Sequence, residues 1–122
     1  MAVPNVSKPH SRAHRRPVGG AARGVLVALP AGGCGLPVPA LPKGREWTSC
    51  EEARWSELWR SPQAGMWDDS AIGTVAVLVV YKAAILAGVA SAWQAMEARY
   101  AAAALGLTPQ AMAALGWVIA GE

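Results

Sequence analysis

Thr48-Ser49-Cys50-Glu51-Glu52-Ala53-Arg54-Trp55-Ser56-Glu57-Leu58-Trp59-Arg60-Ser61-Pro62 is the stretch on which the fold turns. Thr48 with Glu51, or Ser49 with Glu52, has the three-residue spacing of a capping box, which opens a helix by satisfying its first free amides. Trp55, Leu58 and Trp59 follow at i, i+3 and i+4, so one face is aromatic and apolar while Glu52, Ser56 and Arg60 point elsewhere. The helix should close at Ser61-Pro62, because proline has no amide donor for a helix interior yet suits the first position of a new turn. Ser61 is then expected to cap a short turn through Gln63, Ala64 and Met66 to Trp67.

Downstream, Asp68-Asp69-Ser70 offers a further N-cap, with its carboxylates at the positive end of a helix dipole. Thr74-Val75-Ala76-Val77-Leu78-Val79-Val80-Tyr81 is rich in β-branched residues and fits a buried strand as well as a helix. Alanine-rich sequence on both sides, with no turn signal and no partner strand, favours helix. Gly88 and Ser91 mark a break. Ala90 to Ala104 forms the next helix, with Trp93, Met96, Tyr100 and Ala103 or Ala104 on one face, and Gly106 ends it. Thr108 caps a last short helix with Pro109 at its first position, and Ala111, Met112 and Leu115 are expected to face inward. The fold class expected is all-α, a small antiparallel helical bundle of about four helices. A body of under 80 residues has few elements to cover a helix apolar on nearly every side, so other copies of the chain are the expected cover.

Upstream the character changes. Residues 1–45 hold most of the nine prolines and no aromatic residue, too little apolar material to offset the entropy of ordering the chain. They are expected to form a disordered basic arm, ending in a Pro-rich linker that prefers extended conformations, with the helical domain spanning 46–122. Lys8, Arg12, Arg15, Arg16, Arg23, Lys43 and Arg45 all precede the first acid, so residues 1–45 carry +7, while the remainder has four basic and eight acidic residues, or −4. A basic arm on an acidic body suits a polyanion, because neutralising phosphates releases their counterions.

Several chemistries are poorly supplied. Cys34 and Cys50 form neither a C-x-x-C pair nor half of a zinc site, and His10 and His14 lie in a segment too rich in proline, glycine and arginine to hold them on one helical face. With both histidines in the arm, no nucleophile–base pair is evident and no catalytic role is expected. Gly32-Gly33-Cys34-Gly35 lacks the Gly-Lys-Ser/Thr ending of a phosphate loop. Asp68 and Asp69 are better explained as caps than as metal ligands, so no metal, cofactor or small-molecule substrate is expected. A lipoprotein signal ending at Cys34 is disfavoured because Pro30 interrupts a short apolar run. A membrane span over residues 71–93 is long enough, but Lys82 falls at its middle, where a charge costs about 2.5–3.5 kcal/mol. It defines the alternative reading, a small single-span protein with a basic cytoplasmic arm.

The particular residues add a resemblance. Leu29-Pro30-Ala31, Leu41-Pro42, Arg45, Trp47, then Trp55, Leu58-Trp59, Ser61-Pro62, Trp67-Asp68, and finally Gly106-Leu107-Thr108-Pro109, Leu115 and Trp117-Val118-Ile119 together resemble the phage terminase small subunits of actinobacterial phages and prophages. The resemblance spans roughly residues 29–119. It implies a non-enzymatic subunit, cytoplasmic in a bacterial host cell, that binds double-stranded viral DNA, forms a homo-oligomer and engages the large terminase subunit, which supplies ATPase and nuclease. Val77 to Val80, Ala101 to Ala104 and Gln110 to Ala114 are largely apolar or neutral, which points DNA contact to the arm. Arg12, Arg15, Arg16 and Arg23 are the expected DNA-binding residues, with Lys43 and Arg45 next.

Overall fold

The computed structural model describes residues 26–121. Along the chain run strand β1 (Val27–Pro30), helix α1 (Ser49–Trp59), 3-10 turns over Pro62–Met66 and Asp69–Ala71, helices α2 (Ile72–Leu86), α3 (Ala92–Ala104) and α4 (Pro109–Leu115), and strand β2 (Trp117–Ala120). Local chemistry sets the helix boundaries. The Thr48 hydroxyl accepts from the Glu51 amide at 3.1 Å while the Glu51 carboxylate accepts from the Thr48 amide at 2.9 Å, which selects the first of the two possible capping boxes. Ser91 and Gln94 form a second box at the start of α3, and Thr108 caps α4 ahead of Pro109. Asp68 accepts from the Ser70 amide ahead of the turn that leads into α2. The β-branched run 74–81 is helical, inside α2.

The core is a row of indoles leading into α2 and α3. Trp47, Trp55, Trp59 and Trp67 stand in succession with ring centroids 6.4, 5.7 and 5.1 Å apart, the last pair edge to face. Leu58, Val75, Leu78, Val79, Ala98, Ala101 and Leu105 close around them. The Trp67 indole N–H donates to the Leu105 carbonyl at 2.8 Å, tying the turn after α1 to the end of α3.

Two features differ from an all-α bundle preceded by a loose linker. First, β1 and β2 form a two-stranded parallel sheet, with Val27, Ala28, Leu29 and Pro30 opposite Trp117, Val118, Ile119 and Ala120. Val118 and Ile119 supply a β-branched partner ninety positions away from β1, and Pro30, which has no ladder donor, sits at the strand's last position. The fold is therefore mostly helical with a small parallel sheet. Second, the boundary drawn at residue 45 cuts through packed structure. Leu29 is buried, Cys34 N–H donates to the Arg60 carbonyl, and Val38 and Leu41 pack on the core. The physical reason lies in the prolines: an extended Pro-rich segment leaves its carbonyls without internal donors, and buried indoles need acceptors. Trp55 Nε1 donates to the Pro39 carbonyl at 2.8 Å and Trp47 Nε1 to the Pro42 carbonyl at 2.9 Å.

Candidate nucleic-acid and assembly interface

Of the cations expected to contact DNA, Arg12, Arg15, Arg16 and Arg23 lie outside the described residues. Lys43 and Arg45 lie within them and are not equivalent. Lys43 is exposed. Arg45 is held against the body: Nη2 reaches both Glu51 carboxylate oxygens at 3.2 and 3.3 Å, Nε donates to the Glu46 carbonyl at 3.0 Å, and the guanidinium lies 4.4 Å from the centroid of a Trp47 ring. Glu51 is buried, and its carboxylate already accepts from the Thr48 amide. Arg45 thus locks the start of α1 to the segment before it, and its guanidinium is engaged within the body where a free phosphate contact was expected.

The body's remaining cations form no patch free of acids: Arg54 and Lys82 border one groove that Glu51 and Glu57 border as well. Arg54 pairs with Glu57 at 2.9 Å across one turn, while Arg60, Lys82 and Arg99 are exposed on three different elements or their ends. Between residues 26 and 121 there are six basic and seven acidic residues, a net −1. A phosphate backbone is attracted by clustered positive charge, and this distribution leaves the described surface without the charge balance for a strong electrostatic contact of its own. Asp68 and Asp69 behave as helix-start groups, and among the described residues no group of three or more His, Cys, Asp or Glu side chains is placed to hold a metal ion.

The more pronounced surface is apolar. Helix α3 meets the core through two small residues, Ala98 and Ala101, which are buried against it. Its large apolar residues face outward, with Trp93 59%, Met96 44% and Tyr100 57% exposed. Periodicity had grouped these three on one face, and the structure turns that face to solvent. The reason is steric, since alanines let α3 approach α2 closely, whereas Trp93 and Tyr100 would hold the two helices apart. Tyr81 of α2 meets Trp93 edge to face at 5.8 Å, carrying the apolar surface onto α2, where Val77 is also exposed.

The segment 71–93, the span of the alternative reading, is not one helix. α2 ends at Leu86, Gly88 adopts a left-handed φ of 77°, and Ser91 caps a new helix. The helical window Asp69–Leu86 is long and apolar enough to cross a membrane by length and composition, and only 17% of it is buried. Comparison with protein-family models, curated proteins and solved structures gives no match for this chain.

Proposed function

We propose that this chain is a non-catalytic DNA-packaging subunit of the small terminase type, which assembles through its helical body, binds double-stranded viral DNA through the basic segment before it, and engages a large ATPase–nuclease subunit in the bacterial cytoplasm. The observation that supports the reading is the uneven placement of charge and exposed apolar surface along the chain. Five of its eleven cations precede the described body, while that body carries a net −1 and turns Trp93, Met96 and Tyr100 outward. Patches of exposed large apolar residues mark association surfaces, and weak phosphate contacts repeated on each copy of an assembly add by avidity. The resemblance across residues 29–119 supplies the packaging context.

The deciding experiment is a mobility shift on double-stranded phage DNA across a salt series. It compares the full chain with a variant carrying Arg12→Ala, Arg15→Ala, Arg16→Ala and Arg23→Ala. The full chain should bind with a steep salt dependence. The log–log slope falls by about 0.9 for each phosphate contact removed, so the variant should be shallower by up to about 3–4. Equal slopes for the two proteins would refute the assignment of DNA contact to these arginines, and no binding by either would refute the packaging reading itself.

One specific observation favours a second reading, the apolar and little-buried window Asp69–Leu86. In that reading the window inserts in a bilayer and the basic segment stays on the cytoplasmic face. Flotation of the full chain with phospholipid vesicles separates the two, because a packaging subunit stays in the soluble fraction.

A further inference from the structure

The outward stripe of α3 has the spacing of a helix–helix seam. Trp93, Met96, Tyr100 and Ala103 follow one another at intervals of three, four and three residues, and the stripe itself carries no charge. At about 100° per residue, Glu97 falls on one margin and Arg99 on the other. Neither makes an ion pair among the described residues, unlike Arg45 with Glu51 and Arg54 with Glu57.

These margins select a partner and an orientation. If two such helices pair side by side about a two-fold axis running parallel to them, each Glu97 margin meets the Arg99 margin of the other copy. The two residues then differ in height by two residues, about 3 Å. An antiparallel pairing brings Glu97 toward Glu97 and Arg99 toward Arg99. The geometry points to a parallel, two-fold contact with a second copy of this chain through the α3 stripe, with Met96 facing Met96 across the axis and Glu97–Arg99 pairs at the rim. This deepens the packaging reading by naming the surface through which the body assembles, and rests on that reading only for the expectation that it does assemble. A seam along one helix is small beside the roughly 1,200 Å² total of a standard specific interface, so the association should be weak and visible as a rise in mass with concentration.

Sedimentation equilibrium of the full chain from about 1 to 500 µM tests this, on wild type and on Met96→Glu, Glu97→Arg, Arg99→Glu and the double swap Glu97→Arg/Arg99→Glu. Met96 is exposed in the single chain, so far-UV circular dichroism should be unchanged in Met96→Glu. Placing a carboxylate in the seam should weaken association on the order of 10- to 100-fold. Each single reversal should weaken it about two- to five-fold, and the double swap should return it to near wild type. A wild type that stays monomeric, a Met96→Glu protein of unchanged mass, or a double swap no better than the two reversals combined would each overturn the proposal. DNA binding by the same wild-type sample is scored separately, so loss of the packaging reading is told apart from loss of the pairing.

Discussion

Gly106→Ala offers a test of the packing between α3 and β2. Gly106 follows α3 with φ 73°, and a Cβ built on it would overlap Cζ3 of Trp117 and lie 2.7 Å from Cε3 of the same ring. Two costs follow. An L residue in left-handed backbone costs about 1–2 kcal/mol, and forcing a methyl into an occupied site costs about 1–3 kcal/mol more. Trp117 cannot readily retreat, being buried at the first position of β2 and paired there with Val27. Gly88→Ala isolates the backbone contribution, because Gly88 has nearly the same φ, 77°, and nothing within 4 Å of the added Cβ. The loss of chain entropy in the unfolded state is common to both variants and cancels in the comparison. Urea unfolding followed by tryptophan fluorescence should therefore show Gly106→Ala destabilised by about 2–5 kcal/mol and Gly88→Ala by about 1–2 kcal/mol. A thermal melt should separate the two midpoints by at least about 4 °C, given about 4–8 °C per kcal/mol for a domain of this size. In a Trp117→Leu background the extra cost at Gly106 should vanish. Equal destabilisation of the two glycine variants, or a Gly106 penalty that persists without the indole, would refute the argument that Trp117 is seated on Gly106.

Two further substitutions examine the segment before α1. Leu29→Ala should cost about 2–5 kcal/mol, the range for a buried leucine, in a chemical denaturation series; a change below about 0.5 kcal/mol would mean that β1 contributes nothing to the folded body. Glu51→Ala should cost about 1–2 kcal/mol, because it removes half of the capping box together with the Arg45 partner. Arg45→Ala should cost only about 0.5–1 kcal/mol, since Arg45 is 42% exposed and its pairing is screened by water. Thermal melts of the two proteins side by side would contradict this ranking if Arg45→Ala were the less stable.

Much of the helical framework was legible because its signals are local. Thr48 with Glu51, Pro62 opening its turn, the break at Gly88 and Ser91, Gly106, and Thr108-Pro109 all act on backbone groups within a few residues, and the structure uses each at its expected position. Ser61, by contrast, turns its hydroxyl back to the Leu58 carbonyl without capping, and Asp68 caps a 3-10 turn ahead of α2, not α2 itself. Non-local arrangements were not legible. The strand at Val27–Pro30 has its partner ninety positions later, and no local pattern in either segment identifies the other. The docking of the Pro-rich stretch depends on two indole donors finding the carbonyls of Pro39 and Pro42, which composition alone cannot register. Helix α3 illustrates another limit: both its alanine face and its aromatic face are apolar, so periodicity groups Trp93, Met96 and Tyr100 together without fixing which side turns inward. At the candidate interface, Arg45 counts as one cation among seven in the first 45 residues. Only the fold brings Glu51 and Trp47 around it and sets it apart from Lys43.

The parallel sense of β1 and β2 has a mechanical consequence. The chain enters the sheet at Val27, beside Trp117, and leaves it at Ala120, beside Pro30. Tension applied between the two ends of the body therefore draws the strands past each other along their length. Their hydrogen bonds share the load at once, where an antiparallel hairpin pulled at its open end would release them one by one. In the packaging role proposed above, a pull passed into Val27 from the basic segment would load this joint in shear, with the Trp117 ring on Gly106 bracing β2 against the helices.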